Sequence, residues 1–574
     1  MGRKKYWLFA LVIFAILVIL FLGFLAWATW RIQRPPTIED NSTIEISLSG
    51  SIREFPSPNP FVSLFNPDHQ LTIYDIWQIF DYGRKDPRIS AIYLEIAPLT
   101  FQWAQVEEIR DAIKSFRSSG KKVHVFLAGD VSEELEFYLA SAADTITLNP
   151  NSTLLLNGLL SETFFFKKAL ENLEIQPDFI QFKEFKSPEI FEREKFSPQI
   201  RSMRSSILED MQARFLQTVS SERSISSAVI DDILEFGLIN GTTAFESGLV
   251  DLAGYRNDLL LQIAKETNLD IFEGVSSQDY LKSARKRFQE HGTRVALVGG
   301  TGPIISGKGE PFTETMSGVN ISKTLNRIRH SGDYEAVLFR VNSPGGSVVG
   351  SDMIWREIQL LEQSGIPVIV SMSGVAGSGG YYISMAASKI ISQPSTITGS
   401  IGVIFGKFNV QGLFKLFGIS TDRVKTAPNA DLFSSFNSLT SGQKKYLNSW
   451  IEGIYNSFVA KAAKGRQMEV SQLEAKARGK IYTGYQAKKI GLVDELGGFS
   501  KALESIRMEL QLSPDAPITL VQFPKIKGFL ESLSGMYNLQ VYRSAKSTFR
   551  IRKALEELDE GPGVRLLMPE IKIH

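Results

Sequence analysis

The longest apolar run of the chain lies near its N-terminus. Residues 6–30 carry no charge, and at about 1.5 Å per residue a helix of this length exceeds the ~30 Å hydrocarbon thickness of a bilayer. Three basic residues precede the run at positions 3–5, which favours a cytoplasmic N-terminus. We therefore predict one N-terminal transmembrane helix, within an anchor and linker over residues 1–36, and expect the rest of the chain to face outward.

A cleaved signal peptide is the alternative interpretation of the same run. Residues 26–28 (AWA) have the small-x-small form of a cleavage site. However, the apolar stretch is longer than the ~7–15 residues usual for the core of a signal peptide. An anchor is therefore the preferred interpretation.

The remainder of the chain alternates short runs rich in Val, Ile and Leu with amphipathic stretches. Runs of the first kind are typical of strands buried on both faces, and stretches of ~12–15 residues between them are typical of crossover helices. Residues 91–98 (AIYLEIAP) resemble residues 336–343 (AVLFRVNS), and each run precedes an amphipathic stretch. The pattern predicts an α/β protein with an internal repeat.

Further matches keep the same spacing of about 245 residues. Residues 137–144 (FYLASAAD) match 381–388 (YYISMAAS), and the sequence GLVD occurs at both 248–251 and 491–494. Self-similarity at a constant spacing indicates duplicated structural units. We expect a first repeat over 43–290, a second over 293–515, and a C-terminal extension over 516–574 with a charged helix near 549–558.

Composition and charge remove several classes of function. The chain has no Cys, five His and a formal net charge of +1. Disulfides, thiolate metal sites and a cysteine nucleophile are excluded, and no pair of His has the short spacing of a helical zinc site. Near-neutral charge argues against nucleic acid as a partner. We expect neither a metal nor a cofactor.

The two repeats differ at one group of positions. The second repeat contains residues 342–347 (NSPGGS) and 374–382 (GVAGSGGYY), whereas the first has no matching glycines. The position that matches Ser378 in the first repeat is Glu134. If a serine nucleophile exists, it belongs to the second repeat.

Glycines on both sides of Ser378 suit a nucleophile at the start of a helix. Backbone N–H groups at a helix start are free to donate, and glycine permits close approach of a substrate. Gly379 and Gly345 are therefore the predicted donors of an oxyanion hole. Either glycine cluster alone is also explained by a tight turn beneath a closely packed helix.

The base that would activate Ser378 is not fixed by spacing. Only His574 follows Ser378, so a triad with the histidine after the serine is excluded in practice, while His291 and His330 lie upstream in polar sequence. A lysine whose pKa is lowered by burial can also deprotonate a serine. No spacing rule selects one lysine among the many.

Three motifs together resemble one family. Residues 342–347, 377–384 (GSGGYYIS) and 394–402 (PSTITGSIG) are similar to signal peptide peptidase A, a family of bacterial Ser–Lys proteases with a Clp/crotonase-like fold. The resemblance covers about 43–515, and the repeat and anchor are similar to its long, two-domain form.

The resemblance implies Lys186 as the general base. The family's lysine motif resembles residues 185–191 (FKSPEIF), with Phe185 in place of a frequent Tyr. Lys183 and Lys425 lie near enough in pattern to be alternatives. The matching position of the second repeat is Thr426, so the first repeat would supply the lysine and the second the serine.

The same resemblance implies function and setting. It implies an endopeptidase of the bacterial inner membrane, with catalytic domains toward the periplasm, that degrades remnant signal peptides and other short or unfolded chains. It also implies a tetramer. The alternatives are a crotonase-like acyl-CoA enzyme, which uses similar backbone donors without a serine nucleophile, and a non-catalytic membrane scaffold.

One further motif has the spacing of a nucleotide-binding loop. Residues 302–308 (GPIISGK) imitate a P-loop, but Gly309 stands where the Mg²⁺-binding Ser or Thr is required. The motif therefore does not predict nucleotide binding.

Overall fold

The computed structural model describes residues 36–56, 71–226, 237–288, 292–309, 314–524 and 565–568, with residues 23, 229, 233–235 and 573. The predicted N-terminal helix lies outside these residues except for Gly23, as does the predicted helix near 549–558. Within the described part of the chain, no helix is both long and apolar enough to cross a bilayer.

The strands confirm the alternating pattern, and they fall into three main sheets and one small sheet. In chain order they are β1 (Ser42–Gly50), β2 (Ile89–Leu99), β3 (Lys122–Leu127), β4 (Val131–Ser132), β5 (Thr145–Leu148), β6 (Thr153–Leu155), β7 (Gln176–Gln181), β8 (Leu238–Asn240), β9 (Leu252–Ala253), β10 (Gly274–Ser276), β11 (Thr293–Thr301), β12 (Ile304–Ile305), β13 (Met316–Ser317), β14 (Ala336–Ser343), β15 (Gly345–Ser347), β16 (Val368–Gly377), β17 (Lys389–Ser392), β18 (Ile397–Gly399), β19 (Ile404–Asn409), β20 (Ile481–Thr483), β21 (Glu495–Leu496), β22 (Ile518–Phe523) and β23 (Arg565–Leu567).

The helices pack on the faces of these sheets. In chain order they are α1 (Ile73–Lys85), α2 (Trp103–Arg117), α3 (Glu134–Ala140), α4 (Lys167–Asn172), α5 (Glu189–Glu192), α6 (Pro198–Arg223), α7 (Gly241–Glu246), α8 (Arg256–Glu266), α9 (Ser277–Arg287), α10 (Gly318–Ser331), α11 (Val348–Gln363), α12 (Gly379–Ser384), α13 (Gln411–Leu416), α14 (Ser441–Gly465), α15 (Val470–Lys476), α16 (Gly484–Lys489) and α17 (Phe499–Glu509).

The two large sheets share one strand order. The first sheet runs β10-β1-β2-β3-β5-β9 and is parallel throughout. The second contains the matching series β22-β11-β14-β16-β17-β21, also parallel, with β18 and β20 added beside β16. The internal repeat inferred from sequence is thus a repeat of topology. β22, in the segment expected to be an extension, occupies the place that β10 holds in the first sheet.

Strands β2 and β14, which match one another in the two large sheets, are buried on both faces. This burial explains their continuous apolar sequences. In β2, Ile92, Leu94 and Ile96 are fully buried, and so are the neighbouring side chains of β14. Helices α2 and α11 follow these strands in their respective repeats and return the chain for the next parallel strand.

A third sheet joins the two repeats. Its order is β13-β12-β15-β23-β19-β7, and β7 of the first repeat pairs with β19 of the second over six residue pairs. We call it the shared sheet. Because β7 precedes Lys186 and β15 contains Gly345, this sheet holds elements from both halves of the predicted site beside one another.

A buried ion-pair network also connects the repeats. The guanidinium of Arg340, on β14, is fully buried and donates to the carboxylates of Glu54 and Glu108, at 2.9 Å each. Both glutamates belong to the first repeat. Losing either partner of a buried pair leaves an uncompensated charge, so this network holds the repeats in one arrangement.

Candidate active site

Ser378 lies at the junction of β16 and α12. It is fully buried, its φ is +55°, and its N–H donates to the carbonyl of Gly399 at 2.8 Å. A positive φ is uncommon for a residue with a side chain and is found where the surroundings impose it, often at functional sites. The predicted helix begins directly after Ser378 but ends at Ser384.

The glycines beside Ser378 permit this close packing. A Cβ atom on Gly380 would lie 2.6 Å from the carbonyl oxygen of Ser343, and one on Gly379 would lie 2.7 Å from Ser351 Oγ. Any larger residue would push α12 away from the end of β14. The glycine pattern therefore serves to hold Ser378 against the neighbouring strand end.

Lys186 comes to this point from the other repeat. It lies in the loop between β7 and α5, its side chain is 1% exposed, and its Nζ is 2.7 Å from Ser378 Oγ. Gly479 packs on its backbone so closely that a Cβ there would lie 2.5 Å from Lys186 N. The structure thus brings the predicted nucleophile and the predicted base within one hydrogen bond.

Burial lowers the pKa of Lys186 well below its ordinary value. Desolvation disfavours the ammonium form, and no carboxylate of the described residues forms an ion pair with Nζ to offset it. The neutral amine that a general base requires therefore forms at a lower pH than in an ordinary lysine.

Ser400 is the third member of the cluster, and sequence reasoning missed it. Its Oγ lies 2.8 Å from Lys186 Nζ, and its carbonyl oxygen lies 3.3 Å from the same nitrogen. Ser400 has φ +52° and donates its N–H to the carbonyl of Lys480 at 2.7 Å. It stands within the quoted motif 394–402, and its place between Gly399 and Gly402 was the available signal.

The alternative bases lie elsewhere. Lys183 Nζ is turned to Glu474 at 3.2 Å, and Lys425 Nζ pairs with Asp431 at 3.2 Å on an exposed loop. His330 lies on an exposed part of α10, where its Nδ1 is 2.9 Å from the carbonyl of Asn326. Of Lys183, Lys186 and Lys425, only Lys186 contacts Ser378.

The two glycine clusters lie beside one another. A Cβ on Gly379 would lie 3.0 Å from Gly345 Cα and 3.1 Å from Gly346 N. No described residue accepts a hydrogen bond from Gly379 N–H, whereas Gly345 N–H donates to Ser343 Oγ at 3.2 Å. Gly379 thus presents a free donor beside Ser378, and Gly345 presents one that is weakly engaged.

Carboxylates occupy the matching place in the first repeat. Glu134 begins α3, and its carboxylate accepts from Gly158 N–H at 2.7 Å. Glu136 accepts from Leu99 N–H at 2.6 Å and from Glu133 N–H at 2.8 Å. Burial raises the pKa of both Glu134 and Glu136.

Neither half of the site contains a ready-made metal centre. Across the described ranges, no three His, Asp or Glu side chains are grouped so that they could hold a metal ion. Lys186 contacts both Ser378 and Ser400, and all three residues also contact backbone groups.

Comparisons with known proteins relate the chain to one family of peptidases. The model of the family described as "Peptidase family S49" matches residues 115–270 and 361–513, one segment in each repeat. "Serine protease SPPA, chloroplastic" of Arabidopsis thaliana is 29% identical over 549 residues, covering 93% of this chain and 78% of that protein. "Protease 4" of Salmonella typhi is 31% identical over 485 residues, covering 80% and 76%. "Putative protease slr0021" of Synechocystis is 33% identical over 233 residues, which is 40% of this chain and 80% of that protein.

Proposed function

The chain belongs to peptidase family S49 and is a serine protease, and we propose that it cuts peptide bonds with Ser378 as nucleophile and Lys186 as general base. Family membership confirms the resemblance seen in the sequence. The observation that carries the residue assignment is the 2.7 Å contact between a buried serine and a buried lysine from different repeats.

In the first step, neutral Lys186 accepts the proton of Ser378 Oγ while that oxygen attacks the substrate carbonyl. The amine becomes an ammonium in a buried site. Ser400, through its Oγ at 2.8 Å and its carbonyl oxygen at 3.3 Å, offers two acceptors to that ammonium. Ser400 is thus a positioning residue that also stabilises the protonated base.

Charge then develops on the former carbonyl oxygen. Gly379 N–H is adjacent to Ser378 and donates to this oxyanion, and Gly345 N–H joins it by exchanging its 3.2 Å contact with Ser343 Oγ. With only six residues, α12 adds little through its dipole, so the backbone donors themselves matter most.

The tetrahedral intermediate collapses when the leaving amine takes the proton held by Lys186. An ester links Ser378 to the acyl part of the substrate. Lys186 next removes a proton from water, which attacks the ester, and then returns that proton to Ser378 Oγ as the second product leaves with a new carboxyl group. Both half-reactions use the same base and the same donors.

The wider setting belongs to the same proposal. The uncharged run at 6–30 supports a single membrane anchor, with the repeats at 43–290 and 293–515 on the outer side of the bacterial inner membrane. Remnant signal peptides and other short or unfolded chains suit a protease tethered there. We further propose a Clp/crotonase-like fold for each repeat and a tetramer for the assembly.

Labelling with a fluorophosphonate probe tests the assignment directly. We expect mass spectrometry to find the adduct on Ser378 in the wild type, none in Ser378→Ala, and a much slower reaction in Lys186→Ala. Ser132→Ala is the matched control, because Ser132 is a buried serine of the first repeat whose Oγ has no partner among the described residues. Undiminished labelling of Ser378→Ala would overturn the nucleophile, and a wild type that neither labels nor cuts casein would favour the scaffold.

A further inference from the structure

A basic groove runs along the seam between the two repeats. Helices α1 and α9 line it on one side, and α17 with β22 lines it on the other. Its volume of about 710 Å³ lies within the ~300–1,000 Å³ usual for ligand-binding clefts. We call it the basal groove. Six cationic side chains line it: Arg84, Lys85, Lys282, Arg285, Lys286 and Arg507.

The positive charge of the basal groove exceeds what the neighbouring carboxylates neutralise. Asp75, Asp81 and Asp279 form ion pairs with four of the six cationic side chains. Lys286 is exposed in the last turn of α9, and Arg507 donates from Nε to a backbone carbonyl at 2.9 Å. Neither of these two pairs with a carboxylate of the described ranges. An excess of positive charge in a cleft attracts an anion.

Apolar side chains complete the lining of the basal groove. Trp77 and Leu503 are buried there, and the rings of Tyr82 and Phe288 stack with centroids 5.4 Å apart. Free inorganic phosphate makes no use of such a surface, whereas an anion with a hydrocarbon part buries that part against it. The lining therefore favours an anionic amphiphile.

The basal groove lies at the edge where the strands of both large sheets begin. Ile518, the first residue of β22, lines the groove and pairs with Thr293, the first residue of β11. Lys85 ends α1 three residues before Arg88, whose carbonyl accepts the N–H of Ser42 at the start of β1 at 2.9 Å. The proposed dyad lies at the opposite edge, where β16 ends. The groove is therefore separate from the reacting atoms.

The N-terminal part of the chain enters the fold at the same edge. Ile38 is buried in the core four residues before β1 begins. Residues 31–37 alone separate it from the uncharged run at 6–30 that we propose as the anchor. Seven extended residues at ~3.6 Å each span at most about 25 Å. A bilayer that held the anchor would therefore lie close to this edge, and its anionic headgroups attract clustered Lys and Arg.

We infer that the basal groove binds an anionic phospholipid. The phosphate lies among the cationic side chains, and the first part of the acyl chains contacts Trp77 and Leu503. The inference rests on the membrane anchor of the proposed function, but it does not depend on the Ser378–Lys186 assignment. Because both repeats line the groove, a bound lipid fixes the orientation of both repeats relative to the bilayer.

Microscale thermophoresis of the full-length protein in a non-ionic detergent tests the site with three probes. Dioctanoyl phosphatidylglycerol is anionic, dioctanoyl phosphatidylcholine has the same chains and no net charge, and glycerol 3-phosphate has no chains. We expect phosphatidylglycerol to bind saturably and at least tenfold more tightly than either other probe. Equal affinity for the two lipids, or no saturable binding, would overturn the inference. Equal affinity for glycerol 3-phosphate would overturn it in favour of a site for a free phosphate.

A matched pair of variants tests the charge of the groove. Lys286→Gln removes a positive charge without an ion-pair partner, and one basic side chain near an anionic headgroup contributes on the order of fivefold to affinity. We expect phosphatidylglycerol to bind about fivefold more weakly to Lys286→Gln. Lys464→Gln is the control, because Lys464 is also an exposed lysine in the last turn of a helix, α14, without an ion pair in the described part of the chain. Unchanged affinity in Lys286→Gln, or the same loss in both variants, would overturn the inference.

Hydrolysis of a short soluble peptide separates this inference from the proposed function. Both variants should keep the kcat/KM of the wild type, because the groove lies at the opposite edge from the dyad, and this result also shows that they fold. The comparison of probes on the wild type decides the inference even if a variant does not fold. If lipid binding follows the expected pattern while the wild type neither cuts peptides nor labels, the lipid site stands and the catalytic assignment fails. A wild type that cuts peptides without selective lipid binding would overturn the lipid site alone.

Discussion

Helices α3 and α12 begin at matching positions of the two repeats but differ in chemistry there. The start of α3 carries carboxylates, whereas the start of α12 carries a serine and glycines. At α3, Glu136 uses its own carboxylate to accept the N–H groups of Leu99 and Glu133. At α12, Ser378 and the glycines beside it leave a backbone donor for a substrate oxygen. The first repeat thus has its own carboxylate, that of Glu136, near this position. In the second repeat the N–H of Gly379 is available for an oxyanion that the substrate would supply.

This contrast shows that the two copies of a duplicated fold can supply different residues to one site. In the first repeat, Glu134 stands where the second has Ser378, and the Glu136 carboxylate accepts the N–H groups of Leu99 and Glu133 close by. The first repeat then contributes Lys186, whose place in the second repeat is held by Thr426 in the sequence match. In the proposed assignment each copy is incomplete, because Lys186 comes from the first repeat and Ser378 from the second.

The largest effect expected is from removing the base. Lys186→Met keeps the length and burial of the side chain but cannot accept a proton, so we expect kcat to fall by about 10³-fold or more. Steady-state hydrolysis of a short fluorogenic peptide measures this. Lys183→Met and Lys425→Met are matched controls and should remain near wild type. If Lys186→Met retained its kcat while one of the controls lost most of its kcat, the general base would be the lysine replaced in that control.

The pH dependence is the next largest effect. Lys186 must be neutral to act, and burial lowers its pKa. Thus kcat/KM should rise about tenfold per pH unit below that pKa and level off above it. A kcat/KM that falls as pH rises toward the pKa of Lys186 would contradict a lysine base.

Stability should follow the same titration. Between the lowered pKa and the ordinary value near 10.4, the unfolded chain binds more protons than the folded one, so the free energy of unfolding rises with pH. Urea unfolding across this window should show the slope in the wild type and a shallower one in Lys186→Met.

Ser400→Ala should have a smaller effect. The substitution removes the Oγ contact at 2.8 Å but leaves the carbonyl contact, so we expect kcat to fall about tenfold with KM nearly unchanged, consistent with loss of one positioning hydrogen bond. Because the ammonium loses an acceptor, the pKa of Lys186 should fall further and the pH profile should shift to lower pH. Ser505→Ala, another buried serine without a described partner, is the control. An unchanged profile would make Ser400 merely structural.

The smallest effect on activity is expected from Glu136→Gln in the first repeat. The amide can still accept one hydrogen bond but not two charge-assisted ones, so the free energy of unfolding should fall by about 1–2 kcal/mol. The kcat per folded molecule should stay constant. A loss of kcat comparable to that of Ser400→Ala would mean that the first repeat takes part in the reaction.

Much of this site was accessible from sequence. The repeat, the two glycine clusters and Ser378 follow from self-similarity, since a fixed spacing and a local difference are one-dimensional signals. Lys186 could be identified only through a family resemblance, because the sequence does not distinguish one buried lysine from the many exposed ones. Burial of Lys186, 192 residues from its partner Ser378, is a property of tertiary structure alone.

Other parts were not accessible for related reasons. The pairing of β7 with β19 joins the two repeats. The sequence of each strand, taken alone, is equally compatible with pairing inside its own repeat. β15 and β23 have three residues each, too few for a periodic pattern to emerge. Ser400 was in view but has no distinguishing composition, and only its position opposite Lys186 Nζ gives it a role.

The Arg340 network has a consequence for the time at which the enzyme is assembled. Glu108 leaves the ribosome 232 residues before Arg340, which at roughly 5–20 residues per second corresponds to about 10–50 s. During that interval the first repeat holds carboxylates whose counter-ion has not been made, and Lys186 has no serine. If Ser378 is the nucleophile as proposed, proteolytic competence arrives only with the second half of the polypeptide, and the nascent first repeat can cut neither its neighbours nor itself.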